Sequence, residues 1–137
     1  MTHASSEMLS HTAEARVRVR APSFGELAAE AGRALARLET GTAQASPDGP
    51  WRDIEIQSRD REALLVDWLN DLIYLAETER WIGVEFEVGA ATDTSLTMRA
   101  RGVTVDAAPA RVKAATFHGL RIGTTPDGLE AEVIFDV

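Results

Sequence analysis

Two carboxylates near opposite ends of the chain have the type and placement to hold a hard cation. Glu14 stands in His11-Thr12-Ala13-Glu14, and Asp136 in Val133-Ile134-Phe135-Asp136-Val137. Each lies on a segment with period-two alternation, the pattern of a half-buried strand. In the first, Ala13, Ala15, Val17 and Val19 alternate with Glu14, Arg16, Arg18 and Arg20. In the last, Leu129, Ala131, Val133, Phe135 and Val137 alternate with Glu130, Glu132, Ile134 and Asp136. Antiparallel pairing with Glu14 opposite Asp136 sets Arg18 against Glu132 and Arg20 against Glu130, two favourable cross-strand pairs. The same register brings two carboxylates together beside the terminal carboxylate at Val137. Such a meeting is unfavourable unless a proton or a cation sits between the charges. Oxygen donors from Glu14, Asp136 and Val137 suit calcium, magnesium or manganese better than zinc. The plain alternative is that both acids are solvated strand ends.

Other polar groups invite weaker readings. His11 and His118 have the chemistry of a metal ligand or general base, or of ordinary hydrogen-bonded surface histidines. Asp67, Asn70 and Asp71 share one helix face at i, i+3, i+4, as a polar contact surface or a solvated flank. Trp68 and Tyr74 read as core and core-edge residues rather than a base-stacking platform. The chain has no phosphate-cradling glycine loop, no Gly-x-Gly-x-x-Gly, no nucleophile elbow and no His-Glu-x-x-His. Nothing supports nucleotide hydrolysis or acyl transfer by a familiar route.

The elements that must position these groups follow from pattern. Residues 1–10 read as a flexible N-terminal lead-in to a single domain over 11–137. A strand is expected at about 13–20. Ser23 and Glu26 then form a capping box for a helix with an apolar stripe from Phe24 to Leu38. That helix ends by Gly41, a loop follows through 46–50, and a strand covers 51–57. A second helix spans about 61–77, with Ser58 or Asp60 as its N-cap. Segments 83–88 and 95–101 form a hairpin in which Glu85 and Glu87 answer Arg99 and Arg101. Strands at about 112–122, bent at Gly119, and 129–137 are separated by a Pro126-Asp127-Gly128 turn. The order β-α-β-α-β-β-β-β indicates an α+β fold, two helices packed on a mostly antiparallel sheet system and segregated from it.

Composition narrows the partners. The chain has 137 residues, enough to bury roughly 68% of its unfolded surface as one domain. Its formal charge of −8 repels phosphate backbones, so tight direct nucleic-acid binding is not expected. The absence of cysteine excludes disulfides, thiolate zinc sites and a cysteine nucleophile. No apolar run reaches membrane-span length, and residues 1–10 lack the pattern of a signal peptide, so a cytoplasmic protein with no membrane partner is expected.

Taken in order, these segments resemble the archease family from His11 to Val137. The carrying pieces are His11-Thr12-Ala13-Glu14, the run Leu64 to Tyr74, Gly102 with Asp106, the run Val112 to Leu120, and Val133 to Val137. The resemblance implies a non-catalytic protein cofactor of the RtcB-type RNA ligase of tRNA splicing and RNA repair. It would promote guanylylation of the ligase and its multiple turnover. It also implies a divalent cation, calcium, held through Glu14, Asp136 and Val137; His11, His118, Asp67 and Asn70 are candidates for functional support. One departure stands out: the family's usual Asp is Glu14 here, followed by Ala15-Arg16 instead of an apolar residue and Gly. The longer side chain shifts a bound metal, and Arg16 adds positive charge that should weaken cation binding. A stand-alone metal-dependent hydrolase using Glu14, His11, His118 and Asp136 is the competing class. A chaperone-like module, which would need a large exposed apolar patch, ranks third.

Overall fold

The computed structural model describes residues 3–9, 14–41, 46–106, 112–117 and 119–137. Its elements are β1 (Ser5–Leu9), β2 (Glu14–Ala21), α1 (Phe24–Thr40), β3 (Asp48–Gln57) and α2 (Arg61–Glu79). They continue with β4 (Trp81–Ala91), β5 (Ser95–Thr104), β6 (Ala114–Thr116), β7 (Ile122–Thr125) and β8 (Gly128–Asp136). One sheet has the order β1-β2-β8-β6, with β7 also pairing β8; the other has the order β3-β5-β4. Every pairing is antiparallel. The fold is α+β with two helices, as the pattern indicated. Each helix packs against both sheets, α1 on β2 and β4 and α2 on β4 and β6, so the helices form a layer between the sheets.

The helix boundaries have local causes. Ser23 Oγ accepts the Glu26 backbone N–H at 3.3 Å, and the Leu27 N–H donates to Ser23 O at 2.9 Å, which starts α1. Gly41, at φ 79°, ends it where a side chain would be strained. Asp60 rather than Ser58 caps α2, its Oδ1 accepting the Ala63 N–H at 2.8 Å. Ser58 instead donates its hydroxyl to Asp67 Oδ2 at 2.8 Å.

The core is built from the apolar sides of both helices and the inner faces of both sheets. Trp68 is fully buried and spends its only polar atom well, donating Nε1–H to Ala28 O at 2.9 Å. Its ring meets Phe86 edge-on, with centroids 5.6 Å apart. Gly102 on β5 has no room for a side chain: a Cβ there would lie 2.3 Å from Ile82 O and 2.6 Å from the Trp81 indole.

Three expectations change. The lead-in is not wholly loose, because Ser5–Leu9 pairs with β2 from Ser5↔Arg20 to Leu9↔Arg16. Its inward Ser6 donates to the buried Glu30 carboxylate at 2.8 Å, a polar anchor that no apolar alternation announces. The strand expected over 112–122 is two short strands, β6 and β7, separated by a turn in which Gly119 has φ 70°. Tyr74 is not at a core edge but 61% exposed.

Candidate carboxylate tip

β8 lies between β2 and β6, so Asp136 has a neighbour on each side. The register is the one that charge matching suggested: Glu14↔Asp136, Arg18↔Glu132 and Arg20↔Glu130. Side chains directly opposite in such a ladder have Cβ atoms roughly 4.5–5.5 Å apart. On the far side Ala114 faces Asp136 and contributes only a methyl group, while the Lys113 N–H donates to Asp136 O at 2.8 Å. Glu14 is half-buried and takes part in an interaction of its own; Asp136 and Val137 are exposed.

Behind this pair the outer face of the sheet is charge-compensated. Arg20 Nε meets Glu130 at 2.6 Å, and Arg18 lies 3.7 Å from both Glu7 and Glu130 and 4.0 Å from Glu132. The hydrogen bond from Arg20, with its charge, holds the Glu130 carboxyl below its ordinary range. Arg16 donates to Glu132, which lies farther from the tip than Arg16's own register partner Ile134. Its charge is therefore directed down the ladder and away from Glu14. Alternation alone did not assign Glu132 to Arg16 as a partner.

The remaining candidates separate into different places. Asp67 is tied to Ser58. Asn70 closes two hydrogen bonds with the Ala115 peptide, accepting its N–H at 2.8 Å and donating to its carbonyl at 3.2 Å. Asp71 is half-buried, and that desolvation raises its carboxyl above the usual value. His11 and His118 lie outside the described residues. Among the described residues no three His, Cys, Asp or Glu side chains converge as a metal-holding group. What sequence reasoning missed is the backbone: the Lys113 amide meets Asp136 and the Ala115 peptide meets Asn70, and nothing in a residue's type signals either contact.

Similarity to known proteins settles the family. The profile of the Archease protein family (MTH1598/TM1083) matches residues 7–137. The chain belongs to the archease family. It is 32% identical to a protein archease of Methanosarcina barkeri over 139 aligned positions, covering 96% of this chain and 94% of the relative. A protein archease of Methanosarcina acetivorans is 27% identical with the same coverage. The solution structure of protein 1598 of Methanobacterium thermoautotrophicum superposes with a TM-score of 0.77 at 28% identity, over 96% of this chain and 98% of the other. The crystal structure of an archease and possible chaperone from Thermotoga maritima shares the fold, with a TM-score of 0.64 at 22% identity over 99% and 100% of the two chains. No described helix of this archease is long and apolar enough to cross a membrane.

Proposed function

We propose that this archease is a non-catalytic activator of an RtcB-type RNA ligase, promoting its guanylylation and multiple turnover through the Glu14–Asp136 tip. The observation that supports this most is the step at the end of the ladder. Arg18 and Arg20 each face an acid, whereas Glu14 faces another carboxylate. Two opposed carboxylates, with a carbonyl or carboxylate oxygen of Val137 next in the chain, would make a hard-oxygen donor set of the kind that suits a calcium- or magnesium-type cation. A divalent ion there would neutralise the acid pair and offer open coordination positions to phosphate oxygens. Glu14 and Asp136 hold and orient, Arg16 stays engaged by Glu132, and no residue here acts as nucleophile or base. A chain of net charge −8 is suited to a basic RNA-handling enzyme as partner and unsuited to gripping RNA itself.

The test mixes the protein with its own organism's ligase and GTP and follows covalent guanylylation with time. Acceleration is expected, with loss in folded Glu14→Ala and Asp136→Ala variants. No acceleration at any protein ratio overturns the activator reading; full acceleration by both variants removes the tip from it. Turnover of phosphoesters by the purified protein alone would establish the hydrolase instead. The chaperone-like module draws little support, since the exposed large hydrophobics among the described residues are Tyr74, Phe117 and Val137.

A further inference from the structure

The two flanks of Asp136 are held very unequally. On one side β2 pairs with β8 at eight register positions, from Glu14↔Asp136 to Ala21↔Leu129. On the other side β6 pairs at only three, Ala114, Ala115 and Thr116. β6 is also an edge strand, so one row of its peptide groups faces away from β8. Three ladder positions on one side are too few to hold a strand rigid without packing or another partner. That partner is a side chain. The Asn70 amide uses its oxygen and its NH2 together on the Ala115 peptide, at 2.8 and 3.2 Å, in the place where a further strand would pair.

Asn70 itself stands on a firm base. Its helix neighbours Leu69, Leu72 and Ile73 are buried, and Trp68 two residues before it is fully enclosed. A chain of contacts therefore runs from the core through α2 to the Asn70 amide, into β6, and from Lys113 N–H to Asp136 O at 2.8 Å. We propose that Asn70 is the positioning residue of the tip: by completing the open side of β6 it fixes the backbone that aims Asp136 at Glu14. This rests on the reading of the tip as the working part. Its backbone arm, however, can be decided independently of that reading.

The experiment uses the full chain and two substitutions. Asn70→Leu keeps the approximate volume and removes both hydrogen bonds; Asn70→Asp keeps the acceptor and replaces the donor. Amide hydrogen exchange is read at Lys113 and Ala115, and terbium is used as a luminescent probe of cation affinity. In Asn70→Leu, exchange at both amides should quicken by about tenfold or more, the effect of losing two hydrogen bonds of ordinary strength. Exchange at Val17 and Val133 in the β2–β8 ladder should stay unchanged, and terbium affinity should fall by a similar factor.

Unchanged exchange at Lys113 overturns the proposal, and so does faster exchange with undiminished terbium affinity. Should the wild-type chain hold no terbium, the cation reading of the tip fails, and the Lys113 exchange alone decides the positioning role. Should Asn70→Leu fail to fold, Asn70→Asp decides it. An ionised carboxylate repels Ala115 O, whereas the protonated acid again supplies a donor. Protection at Ala115 relative to wild type at equal pH should then recover as pH falls through the carboxylate range. A flat ratio overturns the role, because a residue that merely fills space has no reason to follow pH.

Discussion

Glu39 illustrates how far a single side chain can depart from what its type suggests. It lies in the last turn of α1 at 9% exposure, and burial pushes its carboxyl up to about 8. The unfolded carboxyl titrates near 4.5, so below that pH both states hold the proton and there is no penalty. Between about 4.5 and 8 the folded state keeps a proton that the unfolded state releases, and stability must fall as pH rises across that window. Glu39→Gln should flatten the trend and gain on the order of 2–4 kcal/mol over wild type at pH 8. Urea midpoints at pH 5 and pH 8 read this directly, and parallel wild-type and variant curves would refute it. Arg16 yields a second prediction. Glu132→Gln should weaken terbium binding more than Glu130→Gln, although each removes one negative charge, because only Glu132 holds the Arg16 guanidinium away from Glu14. Equal losses would show that Arg16 has no influence on the tip. Sequence alone could find the register that sets Glu14 opposite Asp136, since alternation and charge matching are countable along each strand. It could not find Glu39, because an acid in a helix looks solvated until the layers around it are known.

The elements show the same division between local pattern and long-range contact. The β4–β5 hairpin was legible because Glu85↔Arg101 and Glu87↔Arg99 repeat a charge rule visible in the sequence. β1 was not, because its inward Ser6 is polar and its partner Glu30 is 24 residues away. Glu30 also receives Arg33 Nε at 2.9 Å and lies 3.5 Å from Arg37, so one buried acid ties β1 to α1. Glu30→Ala should cost about 1–3 kcal/mol and leave two arginines without their acid. The loss should appear as rapid amide exchange confined to Ser5–Leu9, with α2 and β8 unaffected. Gly102 makes the opposite kind of prediction, where adding one methyl group does harm. Gly102→Ala forces Trp81 or the Ile82 carbonyl to move, and should lower stability by about 1–3 kcal/mol in urea unfolding. A wild-type midpoint would mean that the β4–β5 pair yields more easily than its packing suggests.

At the scale of the whole molecule, the negative charge should govern how fast a basic partner is met. On the proposed activator role, stimulation of the ligase at limiting protein should decline as salt is raised, and recover at high protein concentration, because screening slows encounter more than it weakens the docked complex. A salt-independent rate would point to association without electrostatic steering. The arrangement of the chain carries another consequence. Arg16 and Glu132, partners on adjoining strands, are 116 residues apart in sequence, and Glu14 and Asp136 lie farther apart still. Pairings so distant pay nearly the full entropy of closing the intervening loop before they return any contact energy. The helices, the β4–β5 hairpin and the β1–β2 pair are able to form from neighbours, but the β2–β8 ladder must wait for β8. The tip therefore cannot arise from local contacts: it exists only once two strands from opposite ends of the sequence have met.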